Sequence, residues 1–170
     1  MSTLSVDTIQ GQTTAANVKL PAGTPLQLQN VQSQFSYQEV TTTSYVEVTN
    51  MSVTITPKFA SSKIRISSQV SWWLTTDAAN YMFLTYYRSI GGSGYSNLAD
   101  DTTYDAMQFY APAGKNATLN NCAILHFIDT PNTTSAVTYK LYCRKYDGTN
   151  NVRLKYAQTT SLMTVEEISV

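Results

Sequence analysis

The sequence predicts an all-β protein: an antiparallel jelly-roll sandwich over residues 26–170, preceded by an extended arm over residues 1–25. Three observations predict it. β-Branched and aromatic residues dominate the apolar set and fall in short runs, the composition that suits a pleated, half-buried surface. Clusters of Gly, Pro and Asn separate these runs, many of them about 8 to 12 residues apart. No helical pattern of about 10 to 15 residues intervenes, which removes parallel βαβ units and leaves a sandwich or barrel, with the jelly roll as the economical winding.

Ten strands are expected in order. Leu26-Gln-Leu-Gln opens the first, Tyr45-Val-Glu-Val the second, and Val53-Thr-Ile-Thr a third that stops at Pro57, which cannot donate to a ladder. A long strand over 63–73 follows the turn-like Ala60-Ser61-Ser62. Segments 81–90, 104–110, 119–129, 136–146, 152–158 and 162–168 complete the set. Between 77 and 87 the residues Ala78, Ala79, Met82 and Leu84 permit a short helix, but the Tyr-rich end and the Gly91-Gly92-Ser-Gly94 stop favour a strand.

One hairpin is expected in register. If 119–129 and 136–146 pair across 130–135, Ile128 faces Val137, His126 faces Tyr139, Ile124 faces Leu141 and Cys122 faces Cys143. All eight then share one face, while Lys140, Tyr142 and Arg144 turn outward. That pairing permits a Cys122–Cys143 disulfide, although a reducing cytosol favours two thiols.

Residues 1–25 carry only the sparse apolar beads Leu4, Val6, Ile9, Val18 and Leu20, too few for a core. Extended at about 3.3 Å per residue, the segment would reach on the order of 80 Å. It reads as an attachment arm whose beads are covered by another chain or by the body.

Composition narrows function further. Thr, Ser, Asn and Gln make up 63 of 170 residues, and Lys plus Arg equals Asp plus Glu at 11 each. With no net field, generic binding to nucleic acid or to anionic membrane loses its driving force. The most apolar run, 122–128, is far shorter than the roughly 20 residues of a membrane helix, so no membrane insertion is expected. The first ten residues lack the basic and apolar regions of a signal peptide, so folding in the cytoplasm is expected.

Catalytic chemistry finds little support. The single His126 lies mid-strand, where an imidazole bonded to a neighbour or lying at a subunit interface fits better than a catalytic base. Cys122 and His126 lie about 13 Å apart on one strand, too far to share a metal, and no cofactor is expected. Asp100, Asp101 and Asp105 form a cluster without a spacing motif, read as a solvated loop. Lys140, Arg144, Lys145, Arg153 and Lys155 gather five of the eleven basic residues on the last strands, where charges protect sheet edges. The function-like surplus is aromatic, with 12 Tyr and 2 Trp. Trp72 and Trp73 point to opposite faces of one strand, as do Tyr86 and Tyr87, so an oligomer would cover what one core cannot. These four and His126 are the candidate subunit interface.

Those features meet a resemblance. Ser2-Thr-Leu-Ser-Val-Asp-Thr-Ile-Gln-Gly-Gln-Thr-Thr-Ala-Ala-Asn-Val-Lys-Leu-Pro21 resembles the amino terminus of tail-fibre-like and other small virion proteins of marine, particularly cyanobacterial, bacteriophages. Thr41-Thr-Thr-Ser-Tyr-Val, Val53-Thr-Ile-Thr-Pro-Lys-Phe-Ala-Ser-Ser-Lys-Ile-Arg-Ile66 and Ser161-Leu-Met-Thr-Val-Glu-Glu-Ile168 resemble successive strands of the trimeric tumour-necrosis-factor-like or C1q-like jelly rolls of such proteins. The resemblance implies a non-enzymatic homotrimer on the virion exterior, assembled in the host cytoplasm. The arm residues Leu4, Val6, Ile9, Val18 and Leu20 would dock on other tail or capsid proteins. The weakly matching stretch 77–118 would carry a receptor-facing loop with Tyr95, Asp100, Asp101 and Tyr104, reading a host-surface glycan. No shaft of repeats separates arm from body, so a short tail fibre or fibre tip, or else a head or tail decoration protein, is expected. A glycan-degrading tail enzyme would need a carboxylate pair, which only the 100–105 cluster offers.

Overall fold

The computed structural model describes residues 20–34, 38–75, 80–99, 107–112, 118–146, 152–154 and 159–170. Eleven strands run through them: β1 (Pro25–Gln34), β2 (Gln38–Val40), β3 (Val46–Ile55), β4 (Lys63–Thr75), β5 (Asn80–Ile90), β6 (Ser96–Asn97), β7 (Met107–Ala111), β8 (Thr118–Asp129), β9 (Val137–Lys145), β10 (Val152–Leu154) and β11 (Thr160–Ile168). They make two antiparallel sheets. In the first, β1 pairs with β11, β11 with β4 and β4 with β8, while β10 and β2 continue beside the far part of β4. In the second, β3 pairs with β9 and β9 with β5, whose other edge takes β7 and β6. The chain passes between sheets at nearly every long connection, which is the winding of a jelly roll. The described strands therefore make the all-β antiparallel sandwich that the sequence predicts.

Alternation places the core between the sheets. Ile64, Ile66, Leu125, Met163 and Val165 enter from the first sheet, and Val53, Ile55, Met82, Leu84 and Leu141 from the second. Each such side chain contributes about 1.5–3 kcal/mol when fully buried. The helical alternative for 77–87 fails over β5 because Met82, Leu84 and Tyr86 face inward while Tyr81 and Tyr87 face outward, a period of two. The two strands expected at 45–48 and 53–56 are one strand, β3. A register shift between Glu47 and Ser52 absorbs the break, with Asn50 at φ 57°. After β5 the chain reverses through Gly91 and Gly92, at φ 58° and 79°, closed by Ser93 N donating to the Ile90 carbonyl at 3.0 Å. Two successive positive φ values are what glycine permits in so tight a turn.

The expected hairpin between 119–129 and 136–146 does not form. β8 pairs with β4 in the first sheet and β9 with β3 and β5 in the second, so the 130–136 segment crosses the sandwich. The β9 half of the expectation holds: Val137, Tyr139, Leu141 and Cys143 are buried. The β8 half is inverted, with Ala123 and Leu125 in the core while Ile124, His126 and Ile128 face outward. The physical reason is that β8 is apolar on both faces, so alternation alone cannot choose the inner one. Cys122 consequently lies opposite Ser71, and it and Cys143, on opposite sheets, are not joined by a disulfide.

Polar pins cross the sandwich. Asp129, at the end of β8, receives Arg88 Nη1 on both oxygens at 2.7 and 3.0 Å and the Tyr139 hydroxyl at 2.7 Å. The Tyr86 hydroxyl donates to the Leu125 carbonyl at 3.1 Å and, having one proton, accepts from Ser68 Oγ at 2.7 Å. Burial raises both phenols above their ordinary value. The Asp129 hydrogen bond adds to the rise at Tyr139, and Ser68 opposes it at Tyr86. At the other end, Gly23 N donates to the Ser169 carbonyl at 2.9 Å and Ser169 N to the Thr24 carbonyl at 3.0 Å, tying the start of the body to its close.

Candidate functional site

The outer face of the first sheet is built from alternate residues of four strands in register. One row reads Ile128, Arg65, Glu166, Leu28; the next His126, Ser67, Thr164, Asn30; the third Ile124, Gln69, Leu162, Gln32. The four aliphatic side chains stand out at 52% exposed for Leu28, 54% for Ile124, 59% for Ile128 and 40% for Leu162. Arg65 and Glu166 form an ion pair at one end, with exposed Lys63 beyond it, and Arg153 pairs with Glu39 toward the other. Between the rows, a groove of about 130 Å³ is lined by Ser67, Gln69, Ile124, His126 and Leu162. A flat patch of aliphatic tips over hydroxyls and amides suits a protein surface.

The outer face of the second sheet differs in kind. Register places Tyr110 beside Tyr81, and Gln108 beside Phe83 and then Arg144. The Tyr81 ring lies 4.6 Å from Tyr110 at 30° and 6.4 Å from Phe83 at 13°, a shallow aromatic floor. Tyr146 stands at 69° to Tyr81 with centroids 5.6 Å apart, making a wall. A pocket of about 140 Å³ opens there, lined by Tyr81, Phe83, Gln108 and Tyr146. The strip continues along the sheet: the Arg144 guanidinium sits over Phe83 at 4.4 Å and over Tyr45 at 5.2 Å, and Tyr87 packs on Tyr142 at 4.1 Å. Lys140 Nζ bonds Glu47 at 2.7 Å and lies 4.6 Å from the Tyr95 ring. The Glu47 bond raises the Lys140 pKa; burial first, then the neighbouring Tyr142 and Glu47 respectively, raises those of Tyr87 and Tyr142. These tyrosines stay protonated near neutral pH and can donate.

The residues singled out from sequence are scattered by this arrangement. Trp72 and Tyr86 are buried in the protomer's own core, Trp72 against Phe109 at 4.8 Å, and this corrects their assignment to a subunit interface. They are the inward members of their pairs, so one core does absorb half of the aromatic surplus. Trp73 is half-buried on the outer face of the first sheet beneath the Arg153 guanidinium at 4.3 Å, and Tyr87 is half-buried on that of the second. His126 is exposed among the aliphatics. Tyr95 is exposed, whereas Asp100, Asp101 and Tyr104 lie outside the described residues, as do Leu4, Val6, Ile9 and Val18 of the arm. Leu20 is exposed. Sequence reasoning passed over Leu28, Ile124, Ile128 and Leu162 and the trio Tyr81, Tyr110 and Tyr146. The first group had a signal, since a strand apolar on both faces needs two covers.

No protein-family model and no curated protein matches the sequence. Among solved structures the chain is similar to Eiger TNF from S. frugiperda, with 8% identity over 84% of this chain and 92% of that one and a TM-score of 0.43. It is also similar to infectious bursal disease virus, Gx strain, with 11% identity over 87% of this chain and 42% of that one and a TM-score of 0.39. A VP2 subviral particle of infectious bursal disease virus gives 10% identity over 88% of this chain and 38% of that one, with a TM-score of 0.40. The chain thus spans less than half the length of either viral chain. What those proteins bind or build belongs to them; the surfaces of this chain speak only through their own residues.

Proposed function

We propose that this chain is a non-catalytic virion structural protein, a homotrimer whose first-sheet faces meet around a common axis and whose arm docks on another tail or capsid protein. The observation that carries this reading is the aliphatic patch of Leu28, Ile124, Ile128 and Leu162, repeated on every copy and self-complementary in its lack of net charge. Closed symmetry is the usual cover for such a patch. These side chains are already half-buried, so closing them recovers on the order of 1 kcal/mol each, against an association cost of about 4–15 kcal/mol. The hydroxyl and amide rows at Ser67, Thr164, Asn30, Gln69 and Gln32 must therefore close too, with hydrogen bonds. The number three comes from the phage-protein resemblance, while the face itself calls for self-association.

Light scattering of the full chain is expected to give three times the 18.8 kDa protomer. A monomer at micromolar concentration would overturn the reading, and a dimer would remove the trimer but keep the face. Removing residues 1–22 is expected to leave a folded trimer that no longer joins the particle; truncated protein incorporating at normal occupancy would count against the docking arm. A short fibre or fibre tip is preferred to a decoration protein because the second sheet, turned outward in such a trimer, carries an open aromatic strip. The lack of a repeat shaft between arm and body favours decoration as the second reading, and loss of host adsorption by particles lacking the protein separates the two.

A further inference from the structure

We propose that the outer face of the second sheet binds neutral polysaccharide, with a pyranose ring seated over Tyr81 and Tyr110, against Tyr146, and within reach of the Gln108 amide. The proposal deepens the attachment reading above and rests on it for its biological setting, but its chemistry is local. A pyranose presents a face of C–H groups and a rim of hydroxyls. The pocket offers the complement: a shallow floor of rings, a ring at 69° as a wall, and an amide beside them. Its volume of about 140 Å³ is well below the roughly 300–1,000 Å³ of drug-sized pockets, which fits one sugar residue of a chain running across an open face.

Three features separate this from a protein-binding patch. Among the described residues, aromatic and amide side chains line the pocket, with no aliphatic among them, in contrast to the first sheet. Tyr110 and Tyr146 are half-exposed, so their hydroxyls reach solvent at the rim, where sugar hydroxyls and bridging water would lie. The strip continues toward Tyr87, Tyr142 and Tyr95, long enough for further sugar residues. Charge favours a neutral chain over an acidic one. Lys140 is held by Glu47, and the Arg144 guanidinium is stacked between Phe83 and Tyr45, so among the described residues the cations nearest the strip are engaged within the protein. Recognition must then come from stacking and hydrogen bonds, whose contribution changes little with salt.

The experiment uses the recombinant full chain and a glycan array of neutral hexose oligosaccharides, with polyuronate hexamers as the acidic arm, followed by calorimetric titration of the best hexasaccharide. Binding to a neutral oligosaccharide is expected, weakened about tenfold or more by Tyr81→Ala and by Tyr146→Ala, and unchanged between low and high salt. Tyr110→Ala, at the exposed edge, serves as the variant least able to disturb folding, and circular dichroism checks each protein. Thr134→Ala, exposed in the 130–136 segment and outside both surfaces, is expected to leave binding intact. Absence of binding across the array at millimolar sugar, binding confined to polyuronates, or neutral-sugar binding that survives all three tyrosine variants would each overturn the proposal. Because the trimer is read by mass and this face by titration, a trimer that binds no sugar sinks only this inference.

Discussion

The two sheets share one core, yet they show solvent opposite chemistry. The first exposes aliphatic tips set in hydroxyls and amides, with ion pairs at either end of the patch. The second exposes tilted rings laced with cations that other groups already hold. Aliphatic surface gains by meeting more aliphatic surface in a fixed geometry, whereas amphipathic rings keep a wet edge and suit ligands that are half polar. The difference teaches that one sandwich can present two chemistries by face, which the proposed self-association and the proposed sugar recognition would each use, with polar pins joining the two sheets.

The largest effect is expected at those pins. Asp129→Ala leaves the partly buried Arg88 guanidinium without its bidentate partner and the buried Tyr139 hydroxyl without its acceptor. Breaking a buried pair on one side costs about 3–5 kcal/mol. Urea unfolding should show a loss of that order, and a loss below about 1 kcal/mol would mean that the faces are not held together there. Next comes the division of labour itself. Ile124→Asp puts a charge at the centre of the aliphatic face, at a position already exposed in the protomer, so the fold is expected to survive while light scattering falls to the 18.8 kDa protomer. An unchanged trimer would move the interface elsewhere and dissolve the comparison.

Alkaline titration probes the core that both faces share. Tyr86 and Tyr139 have folded pKa values raised by burial above the ordinary 10.0. Above pH 10 the unfolded chain releases these protons while the native state keeps them, so the native state binds more protons and stability falls as pH rises. The slope is about 1.4 kcal/mol per pH unit for each phenol. The contribution is whole below pH 10 and is lost progressively as pH climbs toward the folded values. Tyr86→Phe should remove its own share of about 1.4 kcal/mol per pH unit, leaving those of Tyr139 and of the raised Tyr87, Tyr142 and Lys140; an unaltered slope would mean that Tyr86 ionises freely in the native state.

Legibility from sequence followed how much of each element was decided locally. β9, a long strand with a period of two, could be read with its inner face, because one side carries Val137, Tyr139 and Leu141; β5 could be read as a strand but not by face, since Met82 to Tyr86 are all buried. β8 could not, since Ile124 and Ile128 look as core-like as Leu125; only pairing with β4 settles which side is in. The short β2 and β6 leave no local trace and exist through pairing, β2 with β10 and β6 with β5, whereas β10 falls at the start of the strand expected over 152–158. The aromatic floor was hidden for the same reason. Tyr81, Tyr110 and Tyr146 are distant in sequence and meet only once β7 and β9 take their registers on β5. The surplus of tyrosine was visible, but its sorting into core and outer strip was not.

The smallest expected effect is also the sharpest probe of why the second face is neutral. Lys140 and Glu47 form a partly exposed pair across β9 and β3, with side chains 20% and 37% accessible. A pair so placed is screened by solvent, and Glu47→Gln should change stability by less than about 1 kcal/mol. What remains has a defined sign. The folded pKa of Lys140 is raised above 10.5, first by its hydrogen bond to Glu47, so the contribution is whole below pH 10.5 and is lost as pH rises through the folded value. Stability curves of the native chain and Glu47→Gln should therefore converge in strong alkali and differ most near neutral pH. The same substitution removes a negative charge and leaves the Lys140 ammonium on the aromatic strip without its counter-charge, and it touches neither Tyr81 nor Tyr146. If the neutral preference of this face arises because Glu47 engages Lys140, the variant gains salt-sensitive binding to polyuronate hexamers while its affinity for neutral sugars stays put. A variant as indifferent to polyuronates as its parent would show that something other than this pair sets the preference.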